Sequence, residues 1–315
     1  MAPAAIVPEI VDVIQPKQDK LGLPAPTKAR LEKADIDLSK GYPDVFAVRD
    51  YDRPFVDAGS RADPAKKSLL SAAKEVIHLT THIGTEIARL QLKDLTDQQR
   101  DELALLVAER SVVFFRNQDL SPQKQLELGH YYGEVEVHPQ VPCVPGLPGT
   151  TVIWPQLAAS EKPTDFRNPI IDGKYAVYRS AHTYLDREDP TAGPKFIERS
   201  HPLVRTHPAT GWKALYVNRA MTDRIVGLDK GESDAILQYL CQVYEGNVDI
   251  QCRFKWTPGT SALWDNRITM HNASYDYEGL QPRHGTRVTS LAEKPFFDHN
   301  APTRRQALGI AGAEE

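Results

Sequence analysis

From Ile250 to Trp256 the chain alternates apolar and polar residues with a period of two. Ile250, Cys252, Phe254 and Trp256 point one way, while Gln251, Arg253 and Lys255 point the other. That is the pattern of a strand with one face on a core. Thr257-Pro258-Gly259-Thr260 then supplies turn chemistry, and Ser261 to Trp264 reads as a returning strand. A further short strand is expected over 287–291. The C-terminal half should therefore be antiparallel β, a sheet type that can keep one face on the core and the other in water.

Helices should pack outside that sheet. Thr96-Asp97-Gln98-Gln99 has the spacing of a capping box, with Thr96 as cap and Gln99 reaching back. Leu103, Leu106 and Val107 follow at helical spacing. The helix should end before Ser111-Val112-Val113-Phe114-Phe115-Arg116, a short apolar run of the kind that forms a buried strand. Ser121-Pro122 starts another helix, with proline in the first turn, where its missing N–H costs nothing. Over 232–245, Ile236, Leu237, Leu240, Val243 and Tyr244 share one face of an amphipathic helix.

Residues 1–75, rich in Pro, Lys and Asp, read as an irregular arm. It would wrap the domain through Tyr42, Phe46, Tyr51 and Phe55, or form a disordered leader over its first forty residues. Ordered structure is expected from about Glu75, a main domain over 76–298, and a C-terminal tail over 299–315. Between 137 and 169 the chain carries seven prolines. So long an irregular stretch inside a compact domain is either functional or a sign that something is missing.

Charge and cysteine usage exclude several classes. Lys+Arg 38 against Asp+Glu 42 leaves a net charge of −4 with no basic block, so nucleic acid is not an expected partner. Three cysteines without a CxxC offer neither a zinc knuckle nor a disulfide framework, which fits a reducing, cytoplasmic setting. Residues 1–15 lack the features of a secretory signal, and no run approaches the about 18 apolar residues of a membrane span. Neither a GxSxG elbow nor a P-loop occurs, so a hydrolase has little support. The sequence leaves open whether copies associate into a homo-oligomer.

The chemistry-bearing residues cluster after the returning strand. Trp264-Asp265-Asn266-Arg267-Ile268-Thr269-Met270-His271 is followed by Arg283-His284-Gly285-Thr286-Arg287. An imidazole is a metal ligand, and a guanidinium fork fits a carboxylate bidentately. On a strand, residues four apart face the same side, so Arg283 and Arg287 can hold two anionic groups. The alternative is a surface strand whose arginines pair with Asp276 or Glu278.

In this order, Val113-Phe114-Phe115-Arg116-Asn117-Gln118, Val137-His138-Pro139, His201-Pro202-Leu203-Val204-Arg205, Val217-Asn218, Thr222-Asp223-Arg224-Ile225-Val226 and Trp264-Asp265-Asn266-Arg267 resemble the TauD/TfdA family. These are the Fe(II)- and 2-oxoglutarate-dependent dioxygenases of taurine, alkylsulfonates and aryloxyalkanoates. The resemblance implies a mainly β fold with outer helices, a double-stranded β-helix (jelly roll). It implies Fe(2+) as metal, with 2-oxoglutarate and O2 as co-substrates. Decarboxylation of 2-oxoglutarate would be coupled to oxidation of a small anionic, sulfonate-like substrate. Carried over residue by residue, His271 looks like the distal histidine of the iron triad. Arg283 looks like the arginine that binds the far carboxylate of 2-oxoglutarate, and His138 and Arg287 like the residues facing the substrate's anionic end.

One departure stands out. The family's other two iron ligands come from an HxD or HxE pair, yet none of the ten histidines here is followed two residues later by Asp or Glu. In relatives that pair lies beyond a segment like Thr151-Val152-Ile153-Trp154. Here Asp165-Phe166-Arg167-Asn168 runs almost directly into Ile171-Asp172-Gly173. The expectation is a jelly roll shortened by an internal deletion with its junction near 168–169, and an enzyme impaired by loss of the HxD ligands. His182 and Asp186, four apart as on one face of a helix, lie in a region remote from iron in the family. The competing expectation is a catalytically inactive remnant acting as an anion-binding or protein-binding module.

Overall fold

A computed structural model of the chain describes residues 54–137, 141, 143, 144, 146–153, 171–185, 194–272 and 285–310. Its elements run α1 (Lys67–Ala72), β1 (Glu75–His78), β2 (Thr85–Ala88), α2 (Asp97–Arg110), β3 (Val112–Phe115), α3 (Pro122–Tyr132) and β4 (Thr151–Ile153). They continue with β5 (Tyr175–Leu185), β6 (Pro194–Pro202), β7 (Val204–Thr206), β8 (Lys213–Leu215) and β9 (Thr222–Ile225). Last come α4 (Lys230–Gly246), β10 (Ser261–Trp264), β11 (Gly285–Arg287) and α5 (Arg304–Ala307). The molecule is mainly sheet with few helices.

The strands form four sheets among the described residues, ordered β1-β2-β3-β10, β11-β4, β6-β5-β9 and β7-β8. All pairs are antiparallel except β2 with β3. A parallel pair needs a crossover, and α2 supplies it. That helix begins at a complete capping box between Thr96 and Gln99, and α3 begins with Ser121 accepting from Lys124 N and Pro122 in its first turn. A second capping box, Asp229 with Glu232, starts α4 two residues earlier than the apolar periodicity alone suggested.

Two apolar clusters lie under these layers. One gathers Leu69, Ile87, Leu103, Leu106, Val113, Phe115 and Leu128 between α1, α2, α3 and the first sheet. The other gathers Ala176, Leu203, Leu215, Ile225, Leu237, Leu240 and Tyr244 beneath α4. The buried face of α4 is Ser233, Leu237, Leu240, Cys241 and Tyr244. Ile236 and Val243 sit at its margin, half-buried.

Three expectations need correction. Ile250 ends a short 3-10 helix (Val248–Ile250), and residues 251–256 belong to no strand. Their alternation serves side-chain packing instead: the Phe254 ring stacks on Phe114 at 3.8 Å, and Trp256 meets both rings edge-on. The Arg116 side chain takes the Lys255 carbonyl that a ladder would use. The strand expected over 287–291 is β11 instead, and beyond it Leu291 N bonds Glu134 O and Glu136 N bonds Thr289 O. Ordered structure also begins before Glu75, since α1 buries Leu69 completely.

Candidate functional site

The residues around the Asp265–His271 turn are organised by a buried ion network. Arg267 donates to Asp265 through its backbone N (2.8 Å), Nε (2.9 Å) and Nη2 (2.6 Å). Its Nη1 reaches Asp57 Oδ2 at 2.6 Å and Glu293 Oε2 at 2.9 Å. Arg205 binds the other oxygen of Glu293, and His207 Nε2 lies 2.9 Å from Asp265 Oδ2. Because His207 Nδ1 accepts from Ala209 N and Thr210 N, the ring proton sits on Nε2 and is donated to Asp265. Burial alone would raise the Asp265 carboxyl. The Arg267 charge, with hydrogen bonds from His207 and Arg267, outweighs it and holds the group well below the usual carboxylate range.

Asp265 also builds the turn that leads to His271. Its carbonyl accepts from Ile268 N (3.2 Å), Thr269 N (2.9 Å) and the Thr269 hydroxyl (2.6 Å). His271 follows β10, exposed, with its ring 5.4 Å from that of Trp264. Arg287 ends β11 on a different sheet, facing Thr151 of β4 in register. Its Nε is shut off from water without a hydrogen-bond partner, as is the hydroxyl of Thr150, one residue before Thr151. His138 and Arg283 lie outside the described residues, as does Asp186. His182 belongs to β5, a strand and not a helix.

The partners of this network went unseen in the sequence. Asp57, His207 and Glu293 are far from one another along the chain, and no local spacing signals them. Asp265, Arg267 and Arg205 lay within motifs already singled out, but their role as one ion cluster is a property of the fold.

The family model of the taurine catabolism dioxygenases TauD, TfdA family, matches residues 75–170 and 156–289. The chain belongs to the TauD/TfdA family. It is 32% identical to an alpha-ketoglutarate-dependent dioxygenase of Penicillium expansum, over 76% of this chain and 84% of that protein. It is 31% identical to an alpha-ketoglutarate-dependent sulfonate dioxygenase of Saccharomyces cerevisiae, over 71% of this chain and 68% of the relative. A crystal structure of a taurine dioxygenase from Burkholderia xenovorans superposes with a TM-score of 0.57 at 25% identity, covering 71% of this chain and 92% of that one. The family is named for taurine catabolism dioxygenases and both relatives are named alpha-ketoglutarate-dependent dioxygenases, and the mainly β architecture agrees with them.

Among the described residues, the donor set for the iron that this TauD/TfdA membership implies is not assembled. Ferrous oxygenases of this type hold the metal with two histidines and one carboxylate on one face. Among the described residues no three His, Cys, Asp or Glu side chains come together to hold a metal. The sequence supplies no HxD or HxE to place beside His271. Among the described residues, too, no helix is long and apolar enough to cross a membrane.

Proposed function

We propose that this chain is a sulfonate-class member of the TauD/TfdA family that keeps an anion pocket around Arg287 but carries an incomplete iron centre. The orphaned Arg287 Nε carries the anion reading. A guanidinium N–H that is neither solvated nor bonded is costly, and native structures rarely leave one so. A sulfonate or carboxylate oxygen would satisfy it with a charge-assisted bond. His138 and Arg283 would complete the pocket, the first beside the substrate and the second on 2-oxoglutarate. His271 would be the one remaining family ligand for Fe(2+).

The shortened fold has independent support. The family model matches in two stretches that overlap at 156–170, where the HxD segment should lie. The Penicillium expansum alignment runs over 302 positions, more than the 76% of this 315-residue chain that it covers. Part of the relative therefore faces a gap. Loss of central strands would also account for a jelly roll divided into small sheets, with Tyr175, Phe196, Met221 and Val226 about half exposed around β5, β6 and β9. The absence of HxD favours a second reading, a binding module without turnover.

Calorimetric titration with taurine tests the pocket. Binding should appear in the wild type and weaken roughly 10–100-fold in Arg287→Gln, the worth of one charge-assisted bond. Equal affinity in the two proteins would remove the pocket from Arg287. Anaerobic addition of Fe(II) with 2-oxoglutarate tests the centre: the visible band of the chelated complex should be missing or weak. A band of full intensity, or succinate formed over many turnovers, would restore an active dioxygenase.

A further inference from the structure

A cavity of mixed apolar and polar lining lies against α5 and the 80–84 turn, and Arg287 is not among its lining residues. It has a volume of about 60 Å³, and its lining includes His82, Glu109, His207, Thr210, Lys213 and Arg304. One buried water occupies on the order of 10–15 Å³ by this measure, so there is room for a small polyatomic ion. Arg304 comes from α5, in the segment that the sequence suggested was only a tail. Its Nη2 donates to the His82 carbonyl at 3.2 Å, and its Nη1 lies 3.4 Å from His82 Nδ1. Its Nε is buried with no partner, and its guanidinium lies 5.9 Å from the centroid of the Trp212 ring.

A second guanidinium adds to the positive field. Arg110 spends its donors on neutral acceptors only: the Thr85 hydroxyl and the carbonyls of Thr80, Thr81 and Gly84. Burial and then the nearby charge of Arg304 both lower its pKa from the usual arginine value. Among the described residues neither arginine has a carboxylate partner. The carboxylates nearby are engaged elsewhere, Glu109 with Lys66 at 2.8 Å and Asp172 with Lys213 at 2.7 Å. Two like charges near each other repel, and an anion in the cavity beside Arg304 and the histidine would offset part of that positive charge.

We infer that this cavity binds a small tetrahedral oxyanion, inorganic phosphate or sulfate, held by Arg304, His82 and Thr210, which fastens α5 to the 80–84 turn. The site is separate from the pocket of the proposed function, and neither depends on the other.

Thermal unfolding with added phosphate, at ionic strength held constant with chloride, tests it. The wild type should gain about 2–5 °C in a saturable manner. Arg304→Gln should lose that gain, and Arg287→Gln should keep it. The same gain in Arg304→Gln, or no gain in the wild type beyond that given by chloride, would overturn the inference. Should Arg304→Gln fail to fold, indole ¹⁵N resonances of the wild type decide the matter. The Trp212 signal must shift with phosphate while those of Trp256 and Trp264 stay in place, and an unmoved Trp212 signal ends the proposal.

Discussion

His207 and Asp265 meet at 2.9 Å where neither is open to solvent, the imidazole being 1% exposed and the carboxylate 8%. The same carboxylate takes three donors of Arg267, while its own backbone carbonyl ties the turn before His271. Charge neutralisation and loop shape thus depend on one residue. Asp265→Ala leaves Arg267 short of its main counter-ion and the His207 N–H without an acceptor. Breaking a buried pair by removing one partner costs about 3–5 kcal/mol. Urea unfolding should show a loss of that size, and a loss near zero would mean that water replaces the carboxylate freely.

Between pH 6.5 and about 4 the stability profile should belong to His201 and not to Asp265. Burial, followed by the charges of Arg205, Arg199 and Lys294, lowers the His201 pKa from 6.5 to about 4. The folded state keeps this ring neutral while the unfolded chain protonates it below 6.5. Its contribution is therefore present above pH 6.5 and drains away as the pH falls towards about 4. The depressed Asp265 carboxyl also loses its share on acidification, but in a lower window, starting as the pH falls through 3.8 and finishing at its much lower folded value. Melting temperatures of the wild type should fall between pH 6.5 and 4, and His201→Gln should show a flatter curve over that window. Parallel curves would assign the loss to other groups.

Local signals were readable where the chemistry is local. The Thr96 cap and the Ser121-Pro122 start announced α2 and α3, because a cap bonds within its own first turn, whereas α4 was read from its apolar face alone and its Asp229 cap emerged only in the structure. Strand β3 was likewise visible as a short apolar run, and β10 as the return after the Thr257–Thr260 turn. The period-two run at 250–256 misled because alternation reports which side is apolar, not whether a partner strand exists. There Phe254 spends its face on Phe114 and no ladder forms. The ion network was illegible for a different reason: Asp57, Arg205, His207, Arg267 and Glu293 are joined only by folding. Of the site residues, the motifs suggested an anionic partner for Arg287, but the orphaned Nε on which that proposal leans needed the structure.

The fold needs residues upstream of the family-matched region. Leu69 is fully buried, and its backbone N donates to the equally buried Glu102 carboxylate at 2.6 Å. Lys66 neutralises Glu109, and Asp57 neutralises Arg267. A chain started at Glu75 would leave Glu102 and Glu109 without these partners and Arg267 without one of its three carboxylates, so it should be insoluble or lack a cooperative unfolding transition. Leu69→Ala alone should cost about 2–5 kcal/mol. A chain from Glu75 that melts like the full protein would show that these contacts contribute little.

Gly133 fixes the path of the segment that follows Arg287. A Cβ built there would lie 2.3 Å from the Leu291 carbonyl oxygen, a backbone atom that no rotamer change can move aside. The same approach lets Leu291 N reach Glu134 O at 2.8 Å, next to the bridge between Val135 and Ser290. Gly133→Ala must push residues 289–291 outward, and overpacking of this kind costs about 1–3 kcal/mol. Because that segment begins two residues beyond Arg287, the variant should also bind taurine more weakly than the wild type while still melting cooperatively. Gly146→Ala, where nothing lies within 4 Å of the added carbon but φ is +79°, should cost stability through backbone strain alone and leave taurine affinity unchanged. Equal loss of affinity in both variants would show that general destabilisation, and not displacement of this segment, weakens the pocket.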